Sequence, residues 1–229
     1  MCFNPPWFYV RIERGIRRYG LESASKEAWC ECKKVLKMMD GREDLEIIGG
    51  LSEAKSERVW RNVCVSDLTN RQKDVAWMIV HGCLPTRVFQ RRRRLVDSEV
   101  CPREGCIGCE DVVHLLWRCV FAKKVWRKMG GLIKGLTGVE DLTYEMVVYG
   151  LCDLGDEKMR LFWLLVNCVK ECLWDVRNIL VFRSEVVSVK ECAAMIRGRL
   201  YFYGLCDVKQ LGLPRAQETW CFRQWKYWA

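Results

Sequence analysis

Between residues 101 and 119 the chain reads Cys-Pro-Arg-Glu-Gly-Cys-Ile-Gly-Cys-Glu-Asp-Val-Val-His-Leu-Leu-Trp-Arg-Cys, placing four thiols and one of only two histidines in nineteen positions. Thiolate sulfur and imidazole nitrogen are the donors that zinc takes in tetrahedral sites, with paired ligands a few residues apart. Pro102 and Gly105 favour the tight backbone that lets two cysteines reach one ion from a turn. His114 and Cys119 would close the site from a following helix. Five residues apart, they stand about 140° from each other around an ideal helix, so the helix must loosen before Cys119. Four protein ligands leave no open position for water, which makes such a metal structural and not catalytic. Bound zinc contributes ~10 kcal/mol or more to folding a segment of this kind.

Five donors compete for four positions, and two sets are possible. One is Cys101, Cys106, His114 and Cys119. The other is Cys106, Cys109, His114 and Cys119, with the Cys-x2-Cys-x4-His-x4-Cys spacing of a viral zinc knuckle, although Glu110-Asp111-Val112-Val113 reads as helix where the knuckle has glycines. The competing reading is that these are ordinary core thiols in a cysteine-rich chain. A core thiol does not require the neighbouring histidine.

The second chemistry is electrostatic. Of a net charge of +9, an excess of seven falls between residues 71 and 130, where thirteen Lys/Arg face six Asp/Glu. Arg91, Arg92, Arg93 and Arg94, with Arg87 and Lys73, form its densest part, and Lys123, Lys124, Arg127 and Lys128 follow the cysteines. Arginine grips phosphate through paired hydrogen bonds, and each neutralised phosphate releases counterions. Four consecutive arginines on a helix point to all sides, so only some can meet one phosphate backbone. Trp77, Trp117, Trp126, Trp163 and Trp174 fall on apolar stripes and read as core, whereas Trp225, Tyr227 and Trp228 near the terminus have two readings of equal weight, stacking on bases or packing against the domain. His81 lacks a clustered partner in the sequence and reads as structural.

These residues need helices to position them. Apolar spacing of 3.6 predicts helices over residues 26–40, 69–81, 111–118, 121–128, 157–182 and 189–203. Pro85 sits where another can begin, and Gly41, Gly82, Gly130-Gly131 and Gly204 are the expected stops. Residues 63–65 and 186–189 are the best of few strand-like stretches. The fold class expected is all-α: an irregular helical domain with a small zinc-stabilised turn. The linker Gly49-Gly50-Leu51-Ser52 suggests three regions: residues 1–50, a helical N-terminal segment; 51–130, zinc- and nucleic-acid-binding; and 131–229, helical.

Half of the residues are hydrophobic, enough for a sizeable core. The longest apolar run, residues 161–169 interrupted by Asn167, is far below the ~20 needed to cross a bilayer. The opening Met1-Cys2-Phe3-Asn4 lacks the order of a signal peptide, and fifteen scattered cysteines suit a reducing compartment, cytoplasm or nucleus. The expectation is an intracellular protein with no membrane partner. No nucleophile–base arrangement or glycine-rich phosphate loop stands out, so no catalytic residue is expected.

The stretch from Trp77 to Trp126 resembles the zinc-binding domain that follows the reverse transcriptase in non-LTR (LINE-type) retrotransposon polyproteins. The residues that carry the resemblance are Trp77…His81-Gly82-Cys83-Leu84-Pro85-Thr86, the basic Arg91 to Arg94, Cys101-Pro102…Cys106…Glu110…His114-Leu115-Leu116…Cys119, and Ala122…Val125-Trp126. A weaker echo continues through Trp174…Arg177-Asn178…Phe182. The resemblance implies Cys101, Cys106, His114 and Cys119 as ligands of a structural zinc, with Cys109 an extra thiol. It further implies template RNA or target DNA as partner, and an upstream reverse transcriptase domain in the parent polyprotein. The sequence holds no Asp-Asp pair for a polymerase and no identifiable endonuclease carboxylates, so a non-catalytic module is implied.

Overall fold

Eight α-helices and one π-turn carry the described part of the chain, which in this computed structural model comprises Arg17 and residues 47–220. The helix expected over 26–40, most of the region 1–50 and the aromatic residues Trp225, Tyr227 and Trp228 lie outside the described residues. The helices are α1 (Glu53–Val63), α2 (Asn70–Val80), α3 (Arg87–Arg92), α4 (Val120–Thr137), α5 (Tyr144–Tyr149), α6 (Asp156–Arg183), α7 (Val189–Leu211) and α8 (Leu213–Trp220). The π-turn is His114–Arg118. The fold is all-α, and among the described residues the one β-type pairing is an isolated bridge between Val100 and Cys109.

Local chemistry explains most boundaries. The Thr69 hydroxyl accepts from the Gln72 amide while the Gln72 side chain accepts from the Thr69 amide, a reciprocal cap that starts α2. Thr86, after Pro85, caps α3 through the Phe89 amide. Ser188 and Glu191 form the same reciprocal pair at the start of α7. Ser52 caps α1, which the spacing did not predict. Its buried positions Ser56, Val59 and Val63 follow a helical stripe, and residues 63–65 end this helix instead of forming a strand. Residues 186–188 lead into α7 without strand pairing.

Two glycine stops are corrected. α4 runs through Gly130-Gly131 to Thr137, and α7 runs through Gly204 to Leu211. Glycine weakens a helix interior by ~1 kcal/mol, which packing overrides: Met129 and Ile133 bury on one side of the glycine pair, and Gly204 is itself buried. The end comes instead where Gly138 takes a left-handed φ of 79°.

α6 is the centre. It is buried on every side from Leu161 to Trp174, as a helix enclosed by others must be. It packs against α2, α4, α7 and the π-turn, and a single core runs from Leu68 to Trp220. The sequence-based boundary at residue 50 lies beside the start of this unit at Ile48, whereas the one at 130 falls within α4. Trp126, Trp163 and Trp174 are buried and Trp117 packs at the core edge, as their stripes required. Trp77 departs from that expectation: it is 45 % exposed, with its ring centroid 4.1 Å from that of His81. No helix among the described residues is long and apolar enough to cross a membrane.

Candidate metal centre and basic surface

The chain between α3 and the π-turn folds back on itself. Glu110 donates its amide to the Glu99 carbonyl at 2.8 Å, and the Cys101 amide donates to the Gly108 carbonyl at 2.9 Å. At the tip the Cys106 amide donates to Arg103, and Gly105 adopts a φ of 70°, a left-handed turn that glycine accepts at little cost. This closed loop presents Cys101 and Cys106 on one side.

Opposite them, the Asp111 carboxylate accepts from the His114 amide at 2.6 Å and fixes the start of the turn. The turn then widens: Cys119 donates its amide to the His114 carbonyl, five residues back, at 2.7 Å. That i→i+5 bond is the loosening which the His114–Cys119 spacing demanded. Trp126 reaches back from α4 and donates its indole N–H to the Leu116 carbonyl at 2.7 Å, satisfying a group near the end of the turn.

The ligand atoms of Cys101, Cys106, His114 and Cys119 all lie within 4.8 Å of one another. Cys106 Sγ is 3.3 Å from His114 Nε2. Tetrahedral zinc with sulfur at ~2.3 Å sets its ligands roughly 3.8 Å apart, so a contraction of about 1 Å at most completes the shell. Three soft thiols and one imidazole are a donor set that zinc prefers. Cys119 is held low because the Cys101 thiol donates to it and the Phe121 and Ala122 amides at the start of α4 point to its sulfur. Cys101, as that donor, is pushed up. Cys119 is therefore the member of the pair biased toward the thiolate that a metal needs. Cys109 is exposed and stands outside the convergent four, which favours the first of the two ligand sets.

Two residues outside the shell position it. Gly108 lies against the imidazole, where a Cβ would stand 2.6 Å from His114 Cε1, so no larger residue fits without moving the ring. Its place between Cys106 and Cys109 was the available signal. Glu110 is wholly buried, and its carboxylate takes the guanidinium of Arg177 on α6 at 2.7 Å and the Arg87 amide at 3.0 Å. One carboxylate thus joins the cysteine loop, the first turn of α3 and the central helix. The partner of Arg177 could not be named from sequence. A buried arginine requires an anion, but spacing does not say which.

The basic residues are placed less uniformly than expected. Arg91 and Arg92 close α3, Arg93 is its cap, and Arg94 takes a left-handed φ of 57°, so the run ends a helix instead of circling one. All four are exposed. Arg93 lies 4.1 Å from the Phe89 ring centroid, and Arg91 approaches Asp97 at 3.7 Å. Arg87 is half-buried, and its Nε is a buried donor without a partner. Lys123 and Lys124 are exposed on the first turns of α4. The cysteine loop therefore has a basic element on either side in sequence, α3 before it and α4 after it. His81 is not part of the cluster; it packs between the Trp60 and Trp77 rings at 4.9 and 4.1 Å.

Comparison of the chain with protein-family models, curated proteins and solved structures finds no match.

Proposed function

We propose that this chain is a non-catalytic zinc- and nucleic-acid-binding module of the kind that follows the reverse transcriptase in non-LTR retrotransposon polyproteins. It works in the cytoplasm or nucleus and holds template RNA or target DNA beside an upstream polymerase. The observation that carries the reading is the convergence of Cys101, Cys106, His114 and Cys119 within 4.8 Å. Zinc bound by these four supplies a cross-link between the loop and α4. Glu110 carries that order to the arginine turn through the Arg87 amide. Arg91 to Arg94, Lys123 and Lys124 then meet phosphates, with an affinity that falls steeply as salt rises.

The test is elemental analysis of the purified chain together with Cys101→Ala, His114→Ala and Cys109→Ala. One zinc per chain, lost with the first two and kept with the third, is the expected result. A folded wild-type chain without zinc removes the reading. Nucleic-acid binding is then measured against salt concentration for wild type and for Arg91→Ala/Arg92→Ala, whose log–log slope should be shallower by about two.

A second reading is a zinc-stapled scaffold that packs on the polymerase with little nucleic-acid contact. It is favoured by the exposure of Leu95, Val100 and Ile107 around the cysteine loop, with Ile107 93 % exposed. Salt-insensitive protein association, without nucleic-acid binding, distinguishes it.

A further inference from the structure

A cleft of about 420 Å³ opens beside the cysteine cluster, between the loop, the first turn of α4 and the segment joining α6 to α7. That volume lies within the ~300–1,000 Å³ of small-ligand sites. Cys106 and Cys119 contribute to its lining, Arg103 and Lys124 supply cations, and Phe121, Leu180, Val186 and Val187 supply apolar surface. Glu104 is the one acidic side chain in the lining.

Arg103 is unusual here. Its guanidinium carbon lies over the Phe121 ring, 3.6 Å from the centroid, a cation–π contact. Every other half-buried or buried arginine on α6 and α7 for which an acceptor is described meets a carboxylate: Arg160 meets Asp67 and Asp207, Arg177 meets Glu110, and Arg199 meets Glu171 and Asp175. Among the described residues no acceptor takes the Arg103 guanidinium, nor the Lys124 ammonium. A planar cation whose donors no described acceptor takes, in the lining of a mostly apolar cleft, suits a ligand that joins an anion to a flat apolar ring. A base shows its face to such a wall only when unpaired, since a duplex covers both faces by stacking.

We infer that this cleft takes one unpaired nucleotide of single-stranded RNA or DNA, with its phosphate on Arg103 and Lys124. The base lies against the Arg103–Phe121 stack and the Val186–Val187 wall. The inference rests on the nucleic-acid reading above and specifies what that surface selects: a single strand over a duplex.

The experiment uses the zinc-loaded full chain and fluorescence anisotropy with labelled uridylate and thymidylate dodecamers and a duplex of the same length. Single strands should bind about tenfold tighter than duplex, the gain expected of one stacked base. Val186→Glu puts a carboxylate in the cleft at a side chain that is 82 % exposed, so the fold is unaffected. It and Arg103→Gln should each weaken single-strand binding about tenfold and leave duplex binding unchanged. Arg103→Lys should recover only part, because lysine keeps the charge but not the flat stack. A uridylate strand carrying 4-thiouracil should photo-crosslink to the peptide that contains Val186 and Val187. Equal binding of duplex, or single-strand binding indifferent to Val186→Glu while Arg91→Ala/Arg92→Ala abolishes it, overturns the cleft and leaves the nucleic-acid reading standing. A wild-type chain that binds none of the three probes overturns both.

Discussion

The Glu110 carboxylate and the Arg177 guanidinium form a buried ion pair sixty-seven residues apart in sequence, with Arg177 Nε 3.1 and 3.2 Å from the two carboxylate oxygens and Nη2 2.7 Å from one. Both side chains are 1 % exposed, so neither charge has water to fall back on. Removing one member leaves the other buried and unpaired, at a cost of ~3–5 kcal/mol. Glu110→Gln should therefore lower unfolding free energy by about 3 kcal/mol in urea titrations. Glu110→Leu with Arg177→Met should recover at least half of that loss, since an apolar pair strands no charge. A Glu110→Gln cost below about 1 kcal/mol would contradict the pairing.

Gly108 tests the shell from its other side. Gly108→Ala places a methyl where the imidazole now lies, 2.6 Å from Cε1, and either the ring or the loop must move. Zinc affinity measured against a competing chelator dye should fall about tenfold to a hundredfold, as it does when a supporting group around a metal site is lost. Unchanged affinity would mean that His114 is not a ligand in this orientation.

The glycine pair within α4 should be replaceable with profit. A Cβ at Gly130 or Gly131 meets nothing within 4 Å, and both have helical backbones. Gly130→Ala and Gly131→Ala should each stabilise the chain by ~1 kcal/mol, seen as a higher thermal midpoint. Destabilisation by either would show that the helix does break there.

Lys170 supplies a pH dependence. It is fully buried within α6, donates to the Val148 carbonyl at 3.3 Å and lies 4.1 Å from the Trp163 ring centroid, with burial pushing its pKa down to about 7. In the unfolded chain a lysine titrates near ~10.4. Between these values unfolding takes up a proton, so stability rises with pH; the gain is complete above the unfolded value and is lost as pH falls toward 7. The span is about 5 kcal/mol at most, by ~1.4 kcal/mol per unit. Lys170→Met should flatten the stability profile between pH 7 and 10.4 and raise stability at pH 7. A variant whose profile parallels the wild type would place the dependence elsewhere.

The sequence was most legible where the signal is local. The Thr69–Gln72 cap of α2 and the long apolar pattern of α6 are contained in their own segments. The His114–Cys119 spacing already required a widened turn, and the π-turn provides it. What was not legible depends on distant partners. Gly130-Gly131 reads as a stop until Met129 and Ile133 are seen against the core, and Trp77 reads as core until its stripe proves half-open. The four convergent donors were among five candidates, and Cys109, bridged to Val100 in the closed loop, stands outside them. The arginine run was visible as charge, but Arg94's left-handed backbone, which redirects it, was not.

α4 begins at Val120, directly after Cys119, and continues without a break past residue 130 to Thr137, burying Val125, Trp126, Met129 and Ile133 in the same core as α6 and α7. The cysteine loop and the basic turns beside it are therefore not a detachable cassette. A cut at residue 130 would sever a helix and expose its apolar stripe, and would leave Glu110 without Arg177. Any fragment boundary that keeps this arrangement intact has to carry the C-terminal helices along. The seam that spares every one of these contacts lies before Ile48, where this unit begins.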